Sequence, residues 1–220
     1  MTENYLQVFR EYSILELESI ADYIRHSNKS IATAQQEFDK KFETIEDGQV
    51  VIKFDLESND EYSKLHSIFP HFFRLSTFIG LFALFENRLI RMCKKIHERK
   101  QYRIKIDDLN GDNIIEKIYR YLKLVVNIEL NDLNTYWEKI RDLQKLRNRF
   151  VHNNSNIITD TTKKLKEQKL YSIIKKFPLL EVTDYGIIFI SDDDFLLDFI
   201  QLQKDYISKL IDKIDPIFRG

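Results

Sequence analysis

Apolar residues recur at helical spacing along most of this 220-residue chain. From Asn4 to Ile24, Tyr5, Phe9, Tyr12, Leu15 with Leu17, Ile20, Tyr23 and Ile24 share one face, which predicts a helix. A more polar helix is expected from Ser30 to about Ile45, then a turn at Asp47-Gly48 and a short strand over Val50 to Phe54. A long helical stretch from about Asp60 to Glu98 should be kinked or divided by Pro70, which has no N–H to donate. Asp107 to Asp112 reads as a loop. Asp112 or Asn113 would then cap a helix to about Val126. Another helix is predicted from near Asp132 to His152, and the polar run Asn153 to Asp160 is a loop. Leu179–Val182 and Ile187–Ile190 flank Thr183-Asp184-Tyr185-Gly186, the pattern of a hairpin. After Ser191 to Asp194 comes a last helix, whose apolar face is Phe195, Phe199, Leu202, Tyr206, Leu210 and Ile214. The expected fold is an all-α bundle with a small β-hairpin before the final helix.

Composition supports that picture. Only five glycines and three prolines are present, which suits long helices. No linker or repeat suggests a domain cut, so residues 1–220 are expected to form one domain. Lys and Arg number 34 against 35 Asp and Glu, so any nucleic-acid binding must come from local patches. Cys93 is the sole cysteine, which excludes an internal disulfide and a cysteine-based zinc cluster. His26, His66, His71 and His97 lack zinc-ligand spacing, and neither metal nor cofactor is expected. The N-terminus lacks an apolar signal core. The stretch Phe72 to Met92 is interrupted by Arg74, Glu86, Asn87, Arg88 and Arg91, so no membrane association is expected and a cytoplasmic location follows.

Two charges occupy apolar positions. In Tyr136 to His152, the residues Tyr136, Trp137, Ile140, Leu143, Leu146, Phe150 and Val151 share an arc, and Arg147 falls near its middle. A desolvated guanidinium costs several kcal/mol, roughly, unless it is paired. Arg147 therefore faces a cleft, meets an anion or pairs with an internal carboxylate. Glu86 is the candidate, because it lies within the arc of Leu75, Phe78, Ile79, Phe82, Phe85, Leu89, Ile90 and Cys93. The pair is either a structural salt bridge or a device that fixes Arg147 with donors left for phosphate. His152 ends the same helix, about 140° around from Arg147. It is either a favourable C-terminal dipole partner or a functional imidazole.

The run LRNRFVHNN, Leu146 to Asn154, resembles the signature of HEPN domains: Arg147, the polar Asn148, variable positions, and His152 near the end of a helix. FALFENRL, Phe82 to Leu89, is similar to the earlier core helix of that family. The resemblance covers about residues 70–155, with the hairpin and last helix at 179–215 following in order. It implies a HEPN-type bundle that dimerises along the motif helices, so that two copies of Arg147 and His152 line one cleft. It further implies a metal-independent endoribonuclease, a toxin or antiviral effector with an antitoxin or defence-system protein as partner. His152 would be the general acid or base. Arg147 would stabilise charge on phosphate, and Asn148 would orient the substrate or His152. Relatives that have lost the motif serve as binding modules, which implies the alternative, a non-catalytic module binding RNA, nucleotide or protein.

Other charged groups have a functional and a plainer reading. Arg149, Lys94 and Lys95, and the run Lys163-Lys164-Leu165-Lys166, either guide RNA or are solvated helix ends. Asp192-Asp193-Asp194 either binds a metal or caps the last helix.

Overall fold

The computed structural model describes residues 5–47, 49–52, 56–111 and 113–219. Its first helix, α1, runs Tyr5–Phe42 without a break, where two helices were expected. The intervening Arg25-His26-Ser27-Asn28-Lys29-Ser30 has neither glycine nor proline, so nothing stops the helix once it has started. Strand β1 (Glu43–Glu46) pairs antiparallel with β2 (Gln49–Ile52), with Ile45 opposite Val50. Asp47 turns the chain in the left-handed region (φ 50°). Gly48, and the end of the expected strand at Lys53 and Phe54, lie outside the described residues.

Helix α2 (Leu56–Ser63) passes through a π-helical turn at Lys64–Ile68 into α3 (Phe69–Lys100). Pro70 is the cause: its ring would clash with the carbonyl four residues back, and a wider turn relieves that contact. The Phe69 N–H accordingly donates to the Lys64 carbonyl, five residues earlier. Next come α4 (Ile114–Arg120), a second π-helical turn (Tyr121–Val125) and α5 (Asn134–His152). Asn113 caps α4, its Oδ1 accepting the Glu116 N–H at 2.9 Å; the rival cap, Asp112, lies outside the described residues. A one-turn helix α6 (Tyr171–Ile174) was not anticipated. The expected hairpin is present as β3 (Leu180–Val182) and β4 (Ile188–Ile190), followed by α7 (Asp194–Arg219). The chain is thus mostly helical, with two small two-stranded sheets.

Helix α3 occupies the centre. Its residues Phe78, Phe82 and Phe85 are fully buried at i, i+4, i+7 spacing. Phe78 meets Phe150 of α5 edge-on at 5.7 Å and Phe195 of α7 at 5.3 Å, and Phe82 stacks on Phe199 at 5.6 Å. Each buried ring contributes roughly 1.5–3 kcal/mol. Helix α1 lays Leu6, Leu17, Ala21 and Ile24 against the same bundle, and Lys204 of α7 reaches Glu18 of α1 at 3.0 Å.

By length and composition the run Ser58–Lys100 would suffice to cross a membrane, with a window of mean hydropathy 1.5, contrary to the expectation that it is too polar. Burial accounts for only part of that composition: Phe78, Leu81, Phe82 and Phe85 are enclosed by the bundle, but 28% of the window is buried and Ile68, Phe69 and Phe72 are exposed. Its charges are paired across the bundle: Arg74 with Asp193, Glu86 with Arg147, Arg88 with Glu16.

Candidate functional site

Helices α3 and α5 pack antiparallel through the arcs that their sequences define, which brings Glu86 and Arg147 together. Arg147 Nη2 donates to Glu86 Oε2 at 2.5 Å. Its Nη1 donates to Asn148 Oδ1 at 3.0 Å, and the guanidinium carbon sits 5.3 Å from the Phe82 ring centroid. One edge, one end and one face of the guanidinium are therefore held. These contacts use two of its five N–H donors among the described residues. The Arg147 side chain is 21% exposed and that of Glu86 11%.

Burial pushes the Glu86 carboxyl above its ordinary range, even though the charge and hydrogen bond of Arg147, and Gln144 beside it, oppose the shift. Oε1 of Glu86 is buried without a hydrogen-bond partner among the described residues. Gln144 thus lies near the carboxylate without closing on Oε1. Desolvation outweighs pairing here, so the contact is a poor source of stability. What it provides is a fixed place for Arg147.

Asn148 is committed to Arg147 rather than to His152 in the single chain. Arg149 is half-buried, and its side chain makes no hydrogen bond or ion pair among the described residues. His152 is exposed at the last residue of α5, and Val151, expected inside the apolar arc, is 44% exposed. Arg147 and His152 make no contact with each other in one chain, consistent with their angular separation on the helix.

The exit from α5 is held firmly. Asn154 (φ 47°) and Ser155 (φ 62°) are both left-handed, an arrangement that costs non-glycine residues about 1–3 kcal/mol each and needs support. The C-terminal hairpin provides it. Ile188 N–H donates to Ser155 O and Ile157 N–H to Gly186 O, both at 2.9 Å. Gly186 (φ 79°) must be glycine, because a Cβ there would lie 2.7 Å from Ile158 Cγ1.

Lys94 and Lys95 lie more than two helical turns beyond Glu86 and are engaged locally. Lys94 approaches Asp107 at 3.5 Å, and Lys95 pairs with Glu98 at 2.8 Å. Asp192 caps α7, accepting the Asp194 N–H at 2.8 Å, and Asp193 accepts from Arg74 Nε at 2.7 Å. Among the described residues no cluster of His, Cys, Asp or Glu is arranged to hold a metal ion. Neither of the two principal cavities is lined by Arg147 or His152. One, of about 700 Å³, opens between α5 and α7 over Leu143, Phe195 and Phe199; the other, of about 990 Å³, lies between residues 164–175 and the C-terminal hairpin.

Two polar groups escaped the sequence reading. Arg88 is buried on α3 and bonds Glu16 at 2.7 Å and the fully buried Gln203 at 3.4 Å. Its signal was the same as that of Arg147, a charge between Phe85, Leu89 and Met92. Asp142, buried on α5, accepts from Lys176 at 2.6 Å and Lys145 at 3.1 Å; no local pattern marks it. Comparison with known proteins returned no match to a family model, a curated protein or a solved structure.

Proposed function

We propose that this chain is a HEPN-type, metal-independent endoribonuclease acting as a homodimer. The observation that carries this reading is the state of Arg147. Glu86, Asn148 and Phe82 hold it, yet it is part-exposed with donors in reserve, on the helix that ends in an exposed histidine. Neither residue lines either of the two cavities described above, which suits a site completed by a second copy across a two-fold axis.

In the proposed reaction the RNA 2′-oxygen attacks the adjacent phosphorus as the bond to the 5′-oxygen breaks. The products are a 2′,3′-cyclic phosphate and a 5′-hydroxyl. One His152 takes the 2′-hydroxyl proton, and its partner's copy returns a proton to the leaving oxygen. Arg147 stabilises the charge that builds on the non-bridging oxygens, and Glu86 keeps the guanidinium aimed. Asn148 acts on Arg147 rather than on the imidazole. The biological setting, a toxin or defence effector in the cytoplasm with an antitoxin-like partner, rests on the resemblance of Arg147–His152 to the family signature.

The test is incubation of the purified chain with RNA and with DNA of the same sequence, in excess chelator. Wild type should leave cyclic phosphate ends on RNA and leave DNA intact. Arg147→Ala and His152→Ala should each lose activity at least 100-fold while remaining folded. RNA retention without cleavage by wild type would support the non-catalytic module instead. A monomer at all working concentrations would remove the shared cleft.

A further inference from the structure

The segment that follows the motif helix gathers positive charge in an otherwise near-neutral chain. Residues 160–176 hold six lysines against Asp160 and Glu167. Lys163 pairs with Asp160 at 2.9 Å, and Lys176 with Asp142 at 2.6 Å. Lys164, Lys166, Lys169 and Lys175 are exposed and have no carboxylate partner among the described residues. Like charges collected without partners cost energy through mutual repulsion, which an anion would relieve.

The segment is not a loose tail. Gln168, only 3% exposed, organises it through its amide. Nε2 donates to the Asp160 carbonyl at 2.7 Å and the Lys163 carbonyl at 3.3 Å; Oε1 accepts the Thr159 N–H at 3.1 Å and the Thr159 hydroxyl at 3.3 Å. Leu170, Ile173 and Ile174 anchor it to the core. A fixed loop presents its lysines at less entropic cost on binding than a disordered one. Lys164, Lys166 and Lys175 line the cavity of about 990 Å³, and Lys175 lies 5.5 Å from the Tyr171 ring centroid at its edge. The carboxylates of that cavity are Glu167, which accepts the Lys164 N–H at 3.1 Å, and Glu181 and Asp184 on the hairpin side. The positive track therefore follows the 164–175 side. The same hairpin, through Gly186 and Ile188, grips the residues just beyond His152. The lysine cleft and the end of the motif helix thus share one support.

We infer that the cleft between residues 164–175 and the C-terminal hairpin is a second anion site, which takes the phosphate backbone of single-stranded RNA and leads it to the end of α5. Lys164, Lys166 and Lys175 contact successive phosphates, and Tyr171 offers its ring to a base. The assignment rests on the ribonuclease reading for its ligand, but its test is a binding measurement that does not need cleavage.

The affinity of the intact protein for a short single-stranded RNA is measured by fluorescence anisotropy, in chelator, from 50 to 300 mM salt. Three variants are compared with wild type. K164E/K166E/K175E should bind at least about tenfold more weakly and flatten the slope of log affinity against log salt by about 2, since each phosphate contact in single strands contributes about 0.7. K164R/K166R/K175R should retain wild-type affinity. K29E/K40E/K41E, which changes net charge equally on α1, should stay within twofold of wild type. If wild type cleaves, the first variant should raise KM and leave kcat unchanged. A wild type that binds RNA but does not cut it would end the nuclease reading and leave this one standing. An unchanged salt slope in the cleft variant, an equal loss in the α1 control, or no RNA binding by wild type at 50 mM salt would overturn the inference.

Discussion

Two arginines interrupt apolar helix faces in this bundle, and they end in different situations. Arg88 is sealed between α1, α3 and α7, with a side chain 5% exposed, bonded to Glu16 and Gln203. Arg147 is four times as exposed, at 21%, and rests on one carboxylate, one neighbouring amide and one aromatic ring. Arg88 even leaves its Nε buried without a hydrogen-bond partner among the described residues, a cost tolerated inside a packed polar layer. Arg147 keeps its remaining donors where an incoming anion could meet them. A charge in an apolar arc is therefore not by itself a functional sign. The sign is a charge that is fixed and still incompletely used.

The strongest way to break this distinction is to truncate both arginines. Arg147→Ala should reduce RNA cleavage by about 100–1,000-fold, the usual loss when one group that stabilises developing charge is removed. Its melting temperature should stay within roughly 5 °C of wild type, because Glu86 can take up a proton once its partner is gone. Arg88→Ala should do the reverse. It leaves Gln203 and Glu16 without their donor and should cost about 3 kcal/mol, which lowers the melting temperature by roughly 10 °C in a chain of this size. Cleavage per folded molecule, measured at low temperature, should be nearly unchanged. If Arg147→Ala unfolds the protein and Arg88→Ala does not, the assignment of roles is inverted.

The sequence made Arg147 and Glu86 legible because helical periodicity alone puts both in facing arcs. It made Arg88 equally legible, and the same test applied to Phe85, Leu89 and Met92 would have found it. Exposure was not legible, because it depends on α1 and α7, which cover Arg88 and leave Arg147 at a rim. The C-terminal hairpin was visible in its turn residues, but not that it braces the left-handed pair Asn154 and Ser155. The run Lys163 to Lys166 read as solvated helix ends or a guide for RNA; its fixed loop was not legible, since that depends on one glutamine, Gln168, that carries no pattern of its own. The continuity of α1 was missed because a polar stretch was read as a boundary. Polarity without glycine, proline or a competing cap does not end a helix.

A third ion pair sharpens the comparison with a smaller effect. Burial raises the Asp142 carboxyl, but the hydrogen bonds from Lys176 and Lys145 outweigh it and hold the group below its usual range. A carboxyl depressed in the folded state stabilises the fold above its unfolded value, near pH 4, and loses that contribution as pH falls through the folded value. Asp142→Asn should therefore cost about 1 kcal/mol at pH 7, discounted because both lysines are half-exposed or more. Urea midpoints for wild type and variant should converge between pH 5 and pH 3. A gap that persists unchanged at pH 3 would mean the loss came from packing rather than charge.

The smallest effect, and the most telling, is expected at Glu86, where the sign reverses. Its carboxyl is raised in the folded state by burial, against the pull of Arg147. The fold binds that proton more tightly than the unfolded chain does, so ionising Glu86 subtracts stability as pH rises from the unfolded value, near 4.3, through the raised one. Glu86→Gln removes the titration and keeps the shape. Thermal melts at pH 4 and pH 7 should show the variant gaining on wild type at the higher pH, by less than about 1 kcal/mol, where Asp142→Asn loses ground. The same substitution should lower RNA cleavage several-fold, because the amide no longer anchors the guanidinium by charge. A structural salt bridge would behave otherwise: the variant would fall behind in stability at pH 7, and any activity would follow only the folded fraction. A carboxylate retained at a cost to the fold, beside an arginine with donors to spare, is instead what a site built for a substrate anion requires.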